Sequence, residues 1–199
     1  MYDITKLENT LKAGAVQRYH ATPLVKQQSV AEHSWNVAMI YMELSRACGF
    51  TSDASITEAL FHDIGELFTG DVPFTLKREF PAVKNLYDGL EEHYSKQFIN
   101  RSSGERHLLH NFLLKIADWL EGMRWCAYYE VGTEKDIMEN YAQGIETKYK
   151  DFSERHELTY GDALKKVLPV VEAFFLTHFQ QCFPIIEPTG SATPKYVKQ

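Results

Sequence analysis

Residues 59–73 read ALFHDIGELFTGDVP, and they set an imidazole, His62, directly beside a carboxylate, Asp63, in an apolar helical run. Adjacent helical residues point about 100° apart, so both reach one object only if it lies between their directions. An ion inside a helical core is such an object. Glu66, one turn beyond His62 on the same helical face, and Asp71 add two more acids within the segment. Four ionisable groups in apolar surroundings are unfavourable unless they pair or coordinate a cation. A lone His-Asp pair reads as the polar end of a surface helix, so the interpretation turns on whether other segments supply ligands.

Two segments do. Ser29 and Glu32 form a capping box that opens a helix. Val30, Val37, Ile40, Tyr41 and Leu44 follow at helical spacing, and Gly49 marks its end. His33 falls on that stripe as its only polar interruption. The helix of the opening motif is expected from Ser52 or Ser55 to Gly70, with Ile56, Leu60, Asp63, Ile64 and Leu67 inward and Asp71, Val72 and Pro73 turning away. A further helix, about Glu105 to Tyr129, is apolar almost all round (Leu108, Leu109, Phe112, Leu113, Leu114, Ile116, Leu120) and so reads as central. Asp118 sits inside it.

Each of these polar residues alone reads as hydrogen-bonded core. Together His33, His62, Asp63 and Asp118 supply two imidazoles and two carboxylates with no thiolate. That donor set suits one divalent ion among Mn, Fe, Co, Mg and Zn. Four protein ligands leave positions for a water and a substrate oxygen, and two carboxylates offset the ion's charge so that a phosphate can approach. Glu66 and Asp71 are placed to handle protons.

The remainder reads as helix and loop. A first helix spans roughly residues 4–15, and residues 17–28 form a loop containing Pro23. Pro81 opens a helix to about residue 100, NRSSG (100–104) is a loop, and helices over 133–150 and 159–183 complete an all-α helical bundle. Residues 1–183 are expected to be one domain and 184–199 a loose tail. The 199 residues, 44% hydrophobic and 24% charged, suit a single core without disulfide staples. A net charge of −6 argues against a nucleic-acid polymer as partner. Cys48, Cys126 and Cys182 lack CxxC spacing and fit a reducing, cytoplasmic setting. No signal sequence is recognisable, and VLPVVEAFFL from Val167 is too short and too interrupted to span a membrane. Apolar and aromatic content in the last helices points to a homo-oligomer.

The ordered set His33, His62-Asp63 and Asp118 resembles the HD superfamily of metal-dependent phosphohydrolases. The wording QRYH (17–20), SVAEHSW (29–35), HDIGELFTGDVP (62–73) and LLKIADWLEG (113–122) is similar to the branch of bacterial 5′-deoxynucleotidases and phage dATP triphosphohydrolases. The likeness covers most of residues 14–125; beyond about Val131 it is generic helix. It implies that His33, His62, Asp63 and Asp118 bind the metal and that Glu66 and Asp71 serve catalysis. It implies that Arg18 grips phosphate, a task its guanidinium suits, with Lys77 and Lys115 as helpers. Tyr19 stands where the 5′-deoxynucleotidase pattern has Trp, a residue that excludes a ribose 2′-hydroxyl or stacks near the nucleoside. The expected function is hydrolysis of a 2′-deoxynucleotide, first as a 5′-deoxynucleotidase on monophosphates. The alternative is release of triphosphate from a dNTP, for which Lys26 would join the other cations. A catalytically idle nucleotide-binding module and an interaction bundle are the remaining readings, disfavoured because both catalytic acids are present.

Overall fold

A computed structural model of the chain describes residues 4–50, 53–98, 105–131 and 136–179. It is almost wholly helical: α1 (Ile4–Ala13), a ribbon of β1 (Gln17–Arg18) and β2 (Gln28–Ser29), α2 (Val30–Ala47), α3 (Asp53–Leu60), α4 (Glu66–Thr69), α5 (Phe74–Glu79), α6 (Pro81–Ser95), α7 (Glu105–Tyr129) and α8 (Asp136–Phe174) with a final π turn (Phe175–Phe179). Helix α7 is the hub, packed between α2 and α8. Its Phe112, Leu113, Ile116, Leu120 and Met123 meet Val37, Tyr41 and Leu44 of α2 and Ile145, Val167 and Val171 of α8, all essentially without exposure.

Local chemistry explains the elements that carry the site. The Ser29 hydroxyl accepts from the Glu32 amide at 3.2 Å while the Glu32 carboxylate accepts from the Ser29 amide, so the expected capping box starts α2. Pro81 occupies the first turn of α6, where its missing N–H is harmless. Gly70 ends α4 at φ +70°, a conformation that favours glycine.

Several expectations are corrected. The helix expected across residues 52–70 breaks: residues 61–65 form a turn between α3 and α4, so His62 and Asp63 lie on a corner. Glu66 therefore does not follow His62 along one helical face. Leu60 and Leu108, expected inward, are exposed. The loop at 17–28 has paired ends, with Gln17 opposite Ser29 and Arg18 opposite Gln28. The two expected C-terminal helices are present and abut at a kink within α8, at His156 (φ −131°, ψ 17°), so the break between them is one residue rather than a loop. Helix α5 was not foreseen. Cys126 is buried and Cys48 partly so; Cys182, the NRSSG loop and the tail over 184–199 lie outside the described residues. Among the described residues no helix is long and apolar enough to cross a membrane.

Candidate active site

Three segments meet at His33. From α2 its ring, fully buried, places Nε2 3.2 Å from His62 Nε2, 3.3 Å from Asp63 Oδ2 and 3.3 Å from Asp118 Oδ1. His62 Nε2 lies 3.2 Å from the same Asp63 oxygen. One donor atom from each of His33, His62 and Asp118 falls within 4.8 Å of the other two. All four expected ligands are thus brought together, by α2, the 61–65 corner and α7.

The second nitrogen of each ring is already committed. His62 Nδ1 lies 2.9 Å from the Ala59 carbonyl, which can only accept, so this nitrogen carries the hydrogen. His33 Nδ1 lies 2.6 Å from Glu121 Oε2. Both Nε2 atoms therefore face inward beside two carboxylates, and once their protons leave the donor set fits a divalent ion. The charges agree. Burial and the Arg18 charge both oppose a charged His33, yet hydrogen bonds with Asp118, Asp63 and Glu121 prevail and push its pKa up to about 10. Burial opposes ionisation of Asp63 and Asp118 as well. The neighbouring His62 charge lowers the pKa of Asp63 most, and the Lys115 charge lowers that of Asp118 most, so both stay ionised. The centre is built to hold positive charge.

Arg18 is buried on the ribbon beside this cluster. Its guanidinium comes within 3.7 Å of Asp63 Oδ2, but Nε and Nη1 have no hydrogen-bond partner among the described residues. Next to it Tyr19 adopts φ 59°, an uncommon conformation for a side-chain-bearing residue. Two contacts maintain it: the Tyr19 amide donates to Asp71 Oδ2 at 2.8 Å, and its hydroxyl pairs with that of Tyr141 at 3.0 Å. Glu66, also buried, leaves Oε2 without a partner among the described residues. Burial, reinforced by the charge of Asp63, raises its pKa well above the ordinary carboxylate range.

These groups open onto a cleft of about 1200 Å3. Lys77 and Lys115 line it, each on an acid: Lys77 Nζ is 2.9 Å from Glu91 Oε1, and Lys115 Nζ is 2.7 Å from Asp118 Oδ2. Lys26 does not join them; it pairs with Glu32 at 2.8 Å and sits over the Trp125 ring. Trp119 and Tyr141 form an aromatic wall whose seats are glycines. A Cβ at Gly122 would lie 2.5 Å from the Tyr141 ring, and one at Gly144 3.2 Å from that of Trp119. Glu121, Gln28 and Asn36 were missed as contributors. The available signal was the one-turn spacing of Glu121 from Asp118.

Comparisons with known proteins place the chain in a family. The chain is 31% identical over 176 residues to a dATP triphosphohydrolase of Salmonella phage PMBT28, covering 82% of this chain and 87% of that one. It is 34% identical over 82 residues to a 5′-deoxynucleotidase of Shewanella oneidensis, covering 38% and 42% respectively. Its fold matches the solved HD phosphohydrolase of Cyanophage S-2L, bound to dA and one catalytic Zn2+ ion, at a TM-score of 0.66 and 18% identity over 91% of this chain and 99% of that one. The profile described as 5′-deoxynucleotidase YfbR-like matches residues 9–181, well beyond the part whose wording carried the likeness. With that match and the helical HD architecture, the chain belongs to the YfbR-like 5′-deoxynucleotidase family of HD-domain phosphohydrolases.

Proposed function

We propose that the protein is a divalent-metal-dependent phosphohydrolase that removes the 5′-phosphate from 2′-deoxynucleoside monophosphates. The observation that carries this reading is the buried Arg18 guanidinium, whose Nε and Nη1 make no hydrogen bond among the described residues, lining the same cleft as Asp63 and Asp118 of the ligand cluster. The Asp63 contact at 3.7 Å is too long to be a hydrogen bond, and a phosphate supplies the missing acceptors bidentately.

In this reading His33, His62, Asp63 and Asp118 hold the ion. When bound, it supplies Lewis acidity at the phosphoryl group and acidifies water. Arg18 orients the phosphate and stabilises the charge that develops on it. Water adds to phosphorus, the bond from phosphorus to O5′ breaks, and O5′ takes up a proton. Glu66 is assigned that proton, because a buried carboxyl with a raised pKa retains one to donate. Asp71 commits Oδ2 to the Tyr19 amide, so its part is to hold the Arg18–Tyr19 corner, with its other oxygen left for proton relay. Tyr19 and Tyr141 close the sugar side, and Lys77 and Lys115 flank the phosphate. The reading includes self-association, in support of which Leu158 in mid-α8 and Leu176 in the final π turn are exposed.

Charge favours the monophosphate. Arg18, Lys77, Arg78, Lys84 and Lys115 line the cleft among the described residues, outnumbered by eight acids. A dication and a protonated Glu66 bring that surround near neutrality, which a dianion tolerates better than a triphosphate tail. The second reading, triphosphate release from a dNTP, breaks the same bond from phosphorus to O5′ and is favoured by the Salmonella phage relative. A panel of dNMPs, dNTPs and ribonucleotides with Zn2+, Mn2+ or Co2+ separates them. Orthophosphate from dNMPs supports the first reading, and intact triphosphate from dATP the second. Turnover of neither by metal-loaded protein refutes both.

A further inference from the structure

The two ring nitrogens that turn away from the centre are held by unlike partners. His62 Nδ1 rests on a neutral peptide carbonyl, that of Ala59, whereas His33 Nδ1 rests on a carboxylate, Glu121. Glu121 is on α7 one turn after Asp118, has no solvent exposure, and uses both oxygens. Oε2 takes the His33 Nδ1 hydrogen at 2.6 Å; Oε1 accepts from Gln28 Nε2 at 2.8 Å and from Asn36 Nδ2 at 3.0 Å. A fully buried carboxylate is retained only when surrounded by donors in this way.

The partners matter as much as the bonds. Asn36 is one turn beyond His33 on α2, so two successive turns of α2 are tied to α7 at the level of Asp118. Gln28, also without exposure, lies on β2 directly opposite Arg18 of β1. One side chain thus joins the segment carrying the central imidazole, the strand pairing with the phosphate-facing arginine and the helix carrying a third ligand. A hydrogen bond from Nδ1 to a carboxylate also selects the tautomer whose Nε2 lone pair faces the centre and makes that lone pair more basic.

We infer that Glu121 is the positioning residue of this centre: it fixes the tautomer and orientation of His33 and, through Gln28, keeps the Arg18 ribbon in register with the metal ligands. The inference rests on the metal-centre reading of the proposed function. Its test measures metal binding without nucleotide, so the two fail separately.

Zn2+ affinity is measured by competition with a chromophoric chelator, and the visible spectrum is recorded for the Co2+-loaded protein. Glu121→Gln keeps size but removes the charge and leaves one acceptor oxygen, which cannot serve both His33 Nδ1 and the Gln28 and Asn36 amides. It weakens Zn2+ binding by ~10–100-fold, the usual effect of losing such a partner, and shifts the Co2+ spectrum. Gln28→Met removes one donor to Oε1 and the tie to the ribbon but keeps the His33–Glu121 bond, so it costs less Zn2+ affinity than Glu121→Gln and leaves the Co2+ spectrum near that of the parent. An unchanged affinity and spectrum in folded Glu121→Gln overturns the inference, and so does an equal loss in Gln28→Met. Should Glu121→Gln not fold, the wild-type protein carries the test. Its long-range 1H–15N spectrum, metal-loaded, shows His33 protonated at Nδ1; a bare Nδ1 overturns the assignment. Absence of Zn2+ binding by the wild type defeats the functional reading and, with it, this one.

Discussion

Replacing Gly65 by alanine tests how the metal corner is held against the rest of the protein. Gly65 has φ −64° and ψ −25°, which any residue adopts, so conformational freedom does not explain it. Space does. A Cβ there would lie 2.7 Å from the Glu91 carbonyl oxygen and 2.8 Å from the Glu91 Cα, both backbone atoms of α6. Heavy-atom contacts involving carbon are most favourable near 3.5–4.0 Å, so α6 must retreat by roughly 0.8 Å. Overpacking of this kind costs about 1–3 kcal/mol, equivalent to a fall in melting temperature of roughly 2–12 °C for a chain of this size. The retreat also displaces Glu91, which holds Lys77, and strains a corner whose His62 and Asp63 precede Gly65 by three and two positions. Both kcat/KM and metal affinity should therefore drop with stability. Gly89 on α6 is the internal contrast, since a Cβ there meets nothing within 4 Å. Gly89→Ala should raise stability by ~0.5–1 kcal/mol through helix propensity alone. Thermal melts followed by circular dichroism and steady-state assays on both variants decide the matter. Equal melting temperatures and equal kcat/KM for Gly65→Ala and the parent would refute the close-approach argument.

Two more outcomes are expected. Glu66→Ala should leave metal content unchanged while slowing turnover by ~10²–10⁴-fold, the range for a lost acid–base group; metal analysis beside single-turnover rates checks it, and an undiminished rate removes Glu66 from the chemistry. In metal-free protein the His33 pKa, pushed up to about 10, exceeds the unfolded imidazole value of about 6.5. Its stabilisation is therefore complete below about pH 6.5 and disappears as pH climbs through about 10. Melting temperatures of the metal-free protein should decline over that interval. Saturating Zn2+, which takes the proton's place on Nε2, should flatten the decline, and parallel pH profiles with and without Zn2+ would count against a shared site.

The helical class, the α2 capping box, the α6 start at Pro81 and the central α7 were legible because each depends on neighbours a few positions away. A cap needs a hydroxyl and a carboxylate three residues apart, and a buried helix needs apolar residues on every side. The four metal-site candidates were legible for a related reason. Imidazole and carboxylate on apolar stripes are anomalous, and the anomaly shows in the one-dimensional pattern. What the pattern could not convey is distance between segments. The break at residues 61–65 escaped notice because its apolar spacing continues that of a helix, while α6 packs its backbone against Gly65 from across the fold. Lys26 and Lys77 look alike as loop and helix lysines, yet one lies over Trp125 and the other faces the cleft. Glu121 read as one more helical glutamate until folding buried it between His33, Gln28 and Asn36. Local rules select the elements and the donor types; the meeting of α2, α7 and the ribbon assigns each donor its partner, because coordination and hydrogen bonding act over about 3 Å whatever the separation along the chain.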